Sequence, residues 1–326
     1  MRTPRLGFVG VGWIGRMRME ALLKAGAAEA AAVYDASPEA VREAVKVAPG
    51  AYAASSFDDL LARDLDGVVI ATPNALHAEQ STKALARGMA VFCQKPLGRD
   101  AAEVRAILRA AEKADRPLGV DLSYRHTAVM RRVKEMLDQR AIGDVFAAEL
   151  VFHNAYGPDK GWFYDRKLSG GGCMLDLGIH LVDLALWALA PAKVENVSSR
   201  LFAKGQPLGE EDVEDYAIAR LDLSTGAAVQ VACSWRVSAG CDAVIGATFH
   251  GTQGSLRMSN VNGSFYDFRA DHLQGTKLTP LVSPPDDWGG RALLAWAQDV
   301  GRGATFDRGS WGHAEVAETL DRVYGR

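Results

Sequence analysis

The stretch from Arg5 to Asp35 constrains this chain more than any other. Residues Arg5 to Val9 form a short apolar run, Gly10-Val-Gly12-Trp13-Ile14-Gly15 follows, and Arg16 to Lys24 carries a helical pattern that stops at Gly26. A strand that turns through spaced glycines straight into a helix uses each glycine for its own reason. Gly10 makes the tight turn, Gly12 lets a pyrophosphate approach the backbone, and Gly15 lets helix and strand touch. The helix N-terminus then faces the anion. A second strand, Ala30 to Tyr34, ends in Asp35, 20 residues past Gly15, where an acid reaches the adenosine ribose hydroxyls. Together these features predict a dinucleotide site that includes Trp13 and Ile14 of the loop. Asp35 repels a 2'-phosphate, so NAD is favoured and NADP remains possible, with Arg16 or Ser37 able to moderate the preference.

The alternation of strand and helix continues. Helices are expected over Pro38 to Val47 and Phe57 to Arg63, and then comes Gly67-Val-Val-Ile-Ala71, a continuous apolar run of the kind a parallel strand covered on both faces requires. It ends in Thr72-Pro73-Asn74 and leads into a helix, Ala75 to Arg87, that carries His77. Loops at the carboxyl ends of such strands hold the ligand in open α/β sheets. Strand Met89 to Cys93, helix Asp100 to Ala114 and strand Leu118 to Leu122 complete a doubly wound sheet, closing a first domain at 1–123. Within it, Gln94 and Lys95 follow a strand end and precede Pro96. An ammonium placed there can hydrogen-bond a substrate oxygen as charge builds on it, although a loop lysine is by itself as readily a surface group.

The pattern changes over 124–326. Tyr124-Arg125-His126 leads into a charged amphipathic helix, Ala128 to Arg140, and strand-like segments then follow without crossover helices: 144–154, 194–202, 213–223, 227–235, 243–250 and 255–258. Val229, Val231, Cys233 and Trp235 share one face of their segment, and Ala228, Gln230, Ala232 and Ser234 the other. Such alternation predicts a mainly antiparallel sheet with its second face exposed or in subunit contact, and an α+β second domain. Thr225-Gly226 marks a hairpin turn, Leu278 to Gly290 reads as a long loop, and helices are expected over Arg291 to Gly301 and Gly312 to Tyr324. The loop from Gly157 to Lys167 carries Trp162 and Tyr164, whose flat faces and polar rims suit a sugar or polyol ring but equally suit a core.

That loop runs into Ser169-Gly-Gly-Gly-Cys-Met-Leu-Asp176-Leu-Gly-Ile-His180-Leu-Val-Asp183. At 3.6 residues per turn Asp176, His180 and Asp183 share a face, while Leu175, Ile179, Val182 and Leu186 make a second, apolar one. A carboxylate one turn before a histidine can fix its tautomer and support its cation, which a general base needs. The three glycines let chain or ligand come close. A buried polar set satisfied by its own surroundings would look the same, and the helix alone leaves both readings open.

Bulk properties exclude some partners. With 48% hydrophobic residues, 24% charged residues and a formal net charge of -3, the chain has no basic excess for a nucleic-acid backbone or an anionic membrane. No apolar run approaches the roughly 20 residues of a bilayer span, and no export signal is expected at the start. Cys93, Cys173, Cys233 and Cys241 lie far apart, without a disulfide or zinc pattern. The expectation is a reduced, cytoplasmic protein.

Four motifs stand in order: Gly10-x-Gly12-x-x-Gly15, Ala71-Thr-Pro-Asn-x-x-His77, Lys95-Pro96, and Gly170-Gly-Gly-x-x-x-Asp176-x-Gly178-x-His180-x-x-Asp183. In this order and spacing the chain resembles the Gfo/Idh/MocA family of glucose-fructose oxidoreductase, inositol dehydrogenase and rhizopine catabolism proteins. The resemblance implies an N-terminal Rossmann domain, a C-terminal domain on a large open sheet, and a homodimer or homotetramer formed through that sheet. It implies that Lys95, Asp176 and His180 are the catalytic residues, that Thr72, Pro73, Asn74, His77, Gln94 and Lys95 join the glycine loop around NAD, and that a sugar or polyol is the substrate. Tyr124, Arg125, Trp162 and Tyr164 are candidates for substrate contact beside Lys95, Asp176 and His180. The expected reaction is metal-free hydride transfer between nicotinamide and a secondary alcohol carbon. The same machinery could serve an NAD-retaining glycosidase or lyase, or survive in a non-catalytic sensor. One departure stands out: the family's Glu-Lys-Pro is Gln94-Lys95-Pro96 here. Loss of that anion is expected to let Lys95 lose its proton more readily, so that Gln94→Glu would move the alkaline limb of activity upward.

Overall fold

A computed structural model describes residues 2–326, which fall into two compact units: the chain up to Ser123 with Gly289–Glu315, and Tyr124–Trp288 with Val316–Arg326. The first unit runs β1 (Arg5–Val9), α1 (Trp13–Lys24), β2 (Glu29–Tyr34), α2 (Pro38–Val47), β3 (Tyr52–Ala53), α3 (Phe57–Leu61), β4 (Gly67–Ile70), α4 (His77–Ala86), β5 (Ala90–Cys93), α5 (Ala101–Ala114) and β6 (Leu118–Val120). Its strands form one parallel sheet in the order β3-β2-β1-β4-β5-β6. Every residue of β4 is buried, as the uninterrupted apolar run requires. The order reverses between β1 and β4, so the crevice at their carboxyl ends is where the fold places a ligand. Helix starts follow local chemistry: Ser37, Ser56 and Asp100 each accept a first-turn N–H of α2, α3 and α5.

The second unit contains α6 (Ala128–Asp138), β7 (Val145–Asn154), α7 (Arg166–Ser169), a π-helical turn at Met174–Gly178 and α8 (Ile179–Ala188). Then come β8 (Val194–Ala203), β9 (Gln206–Pro207), β10 (Tyr216–Leu223), β11 (Ala228–Ser234), β12 (Ala243–Gly251), β13 (Gly254–Asn260), β14 (Phe268–Gln274) and β15 (Lys277–Val282). These form a nine-stranded sheet in the order β15-β14-β13-β12-β7-β11-β10-β8-β9. All pairings are antiparallel except β11 with β7. Val229, Val231, Cys233 and Trp235 lie inside as expected, and on the opposite face Ala232 and Ser234 are buried as well, so the alternation of β11 fades toward its end. The expected long loop begins instead as β15, an edge strand. Its Pro280 and Lys277 hid it, since such residues are tolerated where no further strand must pair.

The last helices are α9 (Arg291–Gly301) and α10 (Gly312–Tyr324). The sequence reading assigned all of 124–326 to the second domain, whereas Gly289–Glu315 packs with the first unit. The cause is α9, whose Leu293, Trp296 and Ala297 join the core of Leu6, Phe8 and Phe92, with the Trp296 ring 5.7 Å from that of Phe92. Periodicity shows that a helix has an apolar stripe but not which sheet receives it. A second correction concerns hydropathy. The 23-residue helical stretch Arg166–Ala188 is long and apolar enough to cross a membrane by length and composition, yet 89% of its most apolar window is buried inside the protein. It is a core helix.

Candidate active site

In the first unit the three loop glycines occupy different surroundings. Gly10 has φ +79° and the Ala71 carbonyl group fills the space of a Cβ, and the Gly10 carbonyl oxygen does the same at Gly15. Nothing lies within 4 Å of a Cβ placed at Gly12. That open position caps α1, where no side chain accepts the first-turn N–H groups, and such a turn fits a pyrophosphate. Exposed Trp13 and half-buried Ile14 begin the helix. Asp35, half-buried just past β2, accepts the Ser37 N–H at 2.8 Å through one oxygen.

After β4, the Thr72 hydroxyl donates to Gln80 Oε1 at 2.6 Å, Pro73 follows and Asn74 is buried. His77 is 1% exposed, and its ring nitrogens stand 2.7 Å from two main-chain carbonyl oxygens, Nδ1 from Pro96 and Nε2 from Thr72. His77, expected as a cofactor contact, lies between the loop after β4 and the loop after β5, with a main-chain carbonyl facing each ring nitrogen. Burial pushes its pKa below the ordinary value, against the pull of the two carbonyls and Glu103.

Gln94 sits beside a buried carboxylate. Its amide donates to Asp121 Oδ2, which also accepts from Arg18 Nε at 2.6 Å, while the Ser123 hydroxyl donates to Asp121 Oδ1. Asp121 is 2% exposed. The anion missing from position 94 thus has a counterpart at the end of the neighbouring strand, β6. The half-buried Lys95 follows directly.

In the second unit the polar helix departs from uniform 3.6-residue spacing. Met174–Gly178 winds as a π turn, which rotates Asp176 relative to α8 and is a frequent device at functional sites. Half-buried Asp176 accepts the Trp235 indole N–H at 3.1 Å. His180, 8% exposed, lies edge-on to Tyr124 with ring centroids 4.9 Å apart, and Phe152 packs 6.4 Å away. Burial, with the Asp176 charge, raises the Tyr124 hydroxyl's pKa, so Tyr124 is an uncharged wall beside both residues. Its ring also meets Phe268 and Trp288. Asp183 is 1% exposed and takes a two-pronged ion pair from Arg125, with Nε at 2.7 Å from one carboxylate oxygen and Nη2 donating to the other. Arg125, expected to touch substrate, places Nε and Nη2 on this carboxylate.

The aromatic loop gathers on Trp235. Trp162 stacks on Phe163 at 3.8 Å, Phe163 meets Trp235 edge-on, and Tyr164 lies 5.6 Å from Trp235. The Tyr164 hydroxyl donates to the Pro158 carbonyl at 2.9 Å and accepts from Arg236 Nη2 at 3.0 Å. Trp162 and Tyr164 therefore buttress the indole that holds Asp176. Sequence reasoning recognised Trp235 only as an inward-facing strand residue. Glu214, 1% exposed, was missed altogether. It accepts the Gly172 and Met174 N–H groups at 2.9 and 3.0 Å and the Tyr324 hydroxyl at 2.7 Å. A lone acid ahead of a strand carries no sequence signal for such a role.

A doubly wound sheet bearing this glycine loop defines a dinucleotide-binding fold. Residues 4–122 match the oxidoreductase family with an NAD-binding Rossmann fold, and residues 130–257 match the GFO/IDH/MocA C-terminal domain. The chain belongs to the GFO/IDH/MocA family of NAD(P)-dependent sugar oxidoreductases. It is 34% identical over 250 residues to a putative UDP-kanosamine synthase oxidoreductase subunit of Amycolatopsis mediterranei, covering 72% of this chain and 69% of that one. Identity to the 1,5-anhydro-D-fructose reductase of Ensifer adhaerens is 30% over 262 residues, covering 79% and 76%. Among solved structures, a levoglucosan dehydrogenase in complex with NADH and L-sorbose shares the fold at a TM-score of 0.85 and 20% identity, covering 100% and 96%.

Proposed function

We propose that this protein oxidises, reversibly and with NAD, a secondary alcohol on a cyclic sugar, sugar derivative or polyol. The observation that carries the reading is the arrangement on the polar helix: a carboxylate pinned by an indole N–H and an imidazole walled by aromatic rings, in a chain whose other unit has the nucleotide loop. Bound NAD supplies the hydride acceptor at nicotinamide C4. His180 takes the hydroxyl proton in the oxidative direction, Asp176 orients it and supports its cation, and Lys95 hydrogen-bonds the same oxygen. Tyr124 shapes the pocket around His180. The nucleotide lies on Gly10, Gly12 and Gly15 with Thr72, Pro73 and Asn74 beside it, and Asp35 selects NAD against NADP by repelling the 2'-phosphate. A relative named for anhydrofructose supports a ring-form substrate. We place the protein in the cytoplasm, where both NAD and such sugars are at hand.

The test is a screen of aldoses, inositols, anhydrosugars and sugar nucleotides with NAD and with NADP. Stoichiometric NADH is expected from at least one ring-form polyol, with NAD preferred. His180→Ala is expected to lower its turnover about a hundred- to ten-thousand-fold, the usual range for general acid-base catalysis, at unchanged NAD affinity. Normal turnover of that variant would remove the assignment of the base.

A further inference from the structure

Glu214 does more than fill a buried space. Three consecutive main-chain N–H groups end on this one residue: those of Gly172 and Met174 on its side chain, and that of Cys173 on its carbonyl oxygen at 3.0 Å. These are the donors at the mouth of the π turn, and the start of a helical stretch stabilises an anion there. The residue's own main chain fixes the fit, since a Cβ on Gly172 would run into the Glu214 carbonyl oxygen. The Tyr324 hydroxyl supplies a further donor at 2.7 Å and fills the space of a Cβ at Gly171, while Arg326 Nη1 donates to the Gly170 carbonyl at 3.2 Å. The adjoining residue acts on the other side of the site. The Asp215 carbonyl accepts the Trp235 main-chain N–H at 2.7 Å, and the Trp235 indole N–H holds the Asp176 carboxylate.

We propose that Glu214 is a positioning residue for catalysis: by gathering the N–H groups of residues 172–174 it sets the π turn, and with it the aim of Asp176 at His180. The proposal rests on the assignment of Asp176 and His180 to the reaction. Burial pushes the Glu214 carboxyl up, while the Tyr324 hydroxyl and the main-chain N–H groups of Met174 and Gly172 oppose the rise. Its titratable neighbours are Tyr324 and Cys173. The Cys173 thiol, raised first by burial and then by Cys233, also feels the charges of both Glu214 and Asp176. The two carboxylates therefore flank one residue of the turn.

The experiment follows the His180 ring by NMR of the full chain with labelled histidine, loaded with NAD and assigned through His180→Asn. Asp176→Asn is the control and should lower the His180 pKa by on the order of one unit, because the imidazolium loses its supporting charge. Glu214→Gln should lower it in the same direction, with turnover of the sugar found in the screen down about tenfold to a hundredfold, as misplacement of a catalytic group costs, and NAD affinity unchanged. Tyr324→Phe should give a smaller shift of the same sign. If Asp176→Asn moves the titration and a folded Glu214→Gln does not, Glu214 is only structural and the proposal falls while the catalytic reading stands. If Asp176→Asn leaves the titration unmoved, the catalytic reading itself fails and takes the proposal with it. If Glu214→Gln does not fold, Tyr324→Phe decides, and an unshifted titration there overturns the proposal.

Discussion

At the scale of single residues, the buried carboxylates Asp121, Asp183, Glu214 and Asp271 are each held by a named partner. Asp183 is the plainest case. Burial raises its carboxyl against the pull of Arg125, and removing either member would strand the other in a dry interior, the costly way to break such a pair. Gln94 is more informative. Its sequence context suggested that restoring the family glutamate would raise the basicity of Lys95, but the amide donates to buried Asp121, which also takes Arg18 and Ser123. A carboxylate at 94 would face another carboxylate, and two so placed share a proton instead of both ionising. Gln94→Glu should therefore cost on the order of 1–3 kcal/mol, the usual penalty for a buried group that loses its partner, and leave the alkaline limb of activity nearly unmoved. Adding Asp121→Asn should recover much of that stability, as one charge and one amide are restored in exchanged positions. Urea denaturation of the two single variants and the double variant measures the coupling, and additive losses would contradict it. The sequence made position 94 conspicuous but could not show Asp121, which comes 27 residues later, just past the next strand.

The elements show where legibility stopped. Strand, turn and helix in the first unit follow local rules, so the glycine loop and the succession β1 to β6 could be read directly. The polar helix was read as regular. Its π turn is held by Glu214 and Trp235, which lie 40 and 59 residues beyond the positions they contact. Likewise β14 escaped notice because buried Asp271 pairs with Arg257 of β13, which breaks the apolar alternation. The loops after β4 and β5 illustrate a consequence for pH. His77 sits between them, and its folded-state pKa lies below the ordinary 6.5. Below that ordinary value the unfolded chain takes up a proton that the folded chain refuses, so His77 makes stability fall as pH drops. The raised carboxyls of Asp183 and Glu214 act with the opposite sign. The His77 contribution is thus read as a difference: between about pH 7.5 and about pH 5.5, wild type should lose more unfolding free energy than His77→Gln. Equal losses, by chemical denaturation at the two pH values, would show that His77 titrates alike in both states.

For the whole molecule, the nine-stranded sheet offers more surface than its own helices use. Across its open face Gly246, Val151, Ala232, Ile218 and Arg200 stand in one hydrogen-bonded row, and Thr248, Glu149, Gln230, Arg220 and Ser198 in the next. Small apolar residues flanked by charge suit a face that meets a copy of itself. We propose a homodimer or homotetramer through this face, and Ile218→Glu should shift sedimentation toward the monomer while leaving the secondary structure intact. A wild-type monomer at all concentrations would dismiss it. The central claim concerns chemistry, and isotopic transfer tests it most directly. The sugar found in the screen, carrying deuterium on its carbinol carbon, is mixed with NAD and the full-length protein, and the nicotinamide product is weighed by mass spectrometry. The account predicts deuterium at nicotinamide C4, one atom per ketone formed, with almost none after His180→Ala. Ketone formed with the label lost to water, or sugar consumed with no labelled NADH, would contradict it.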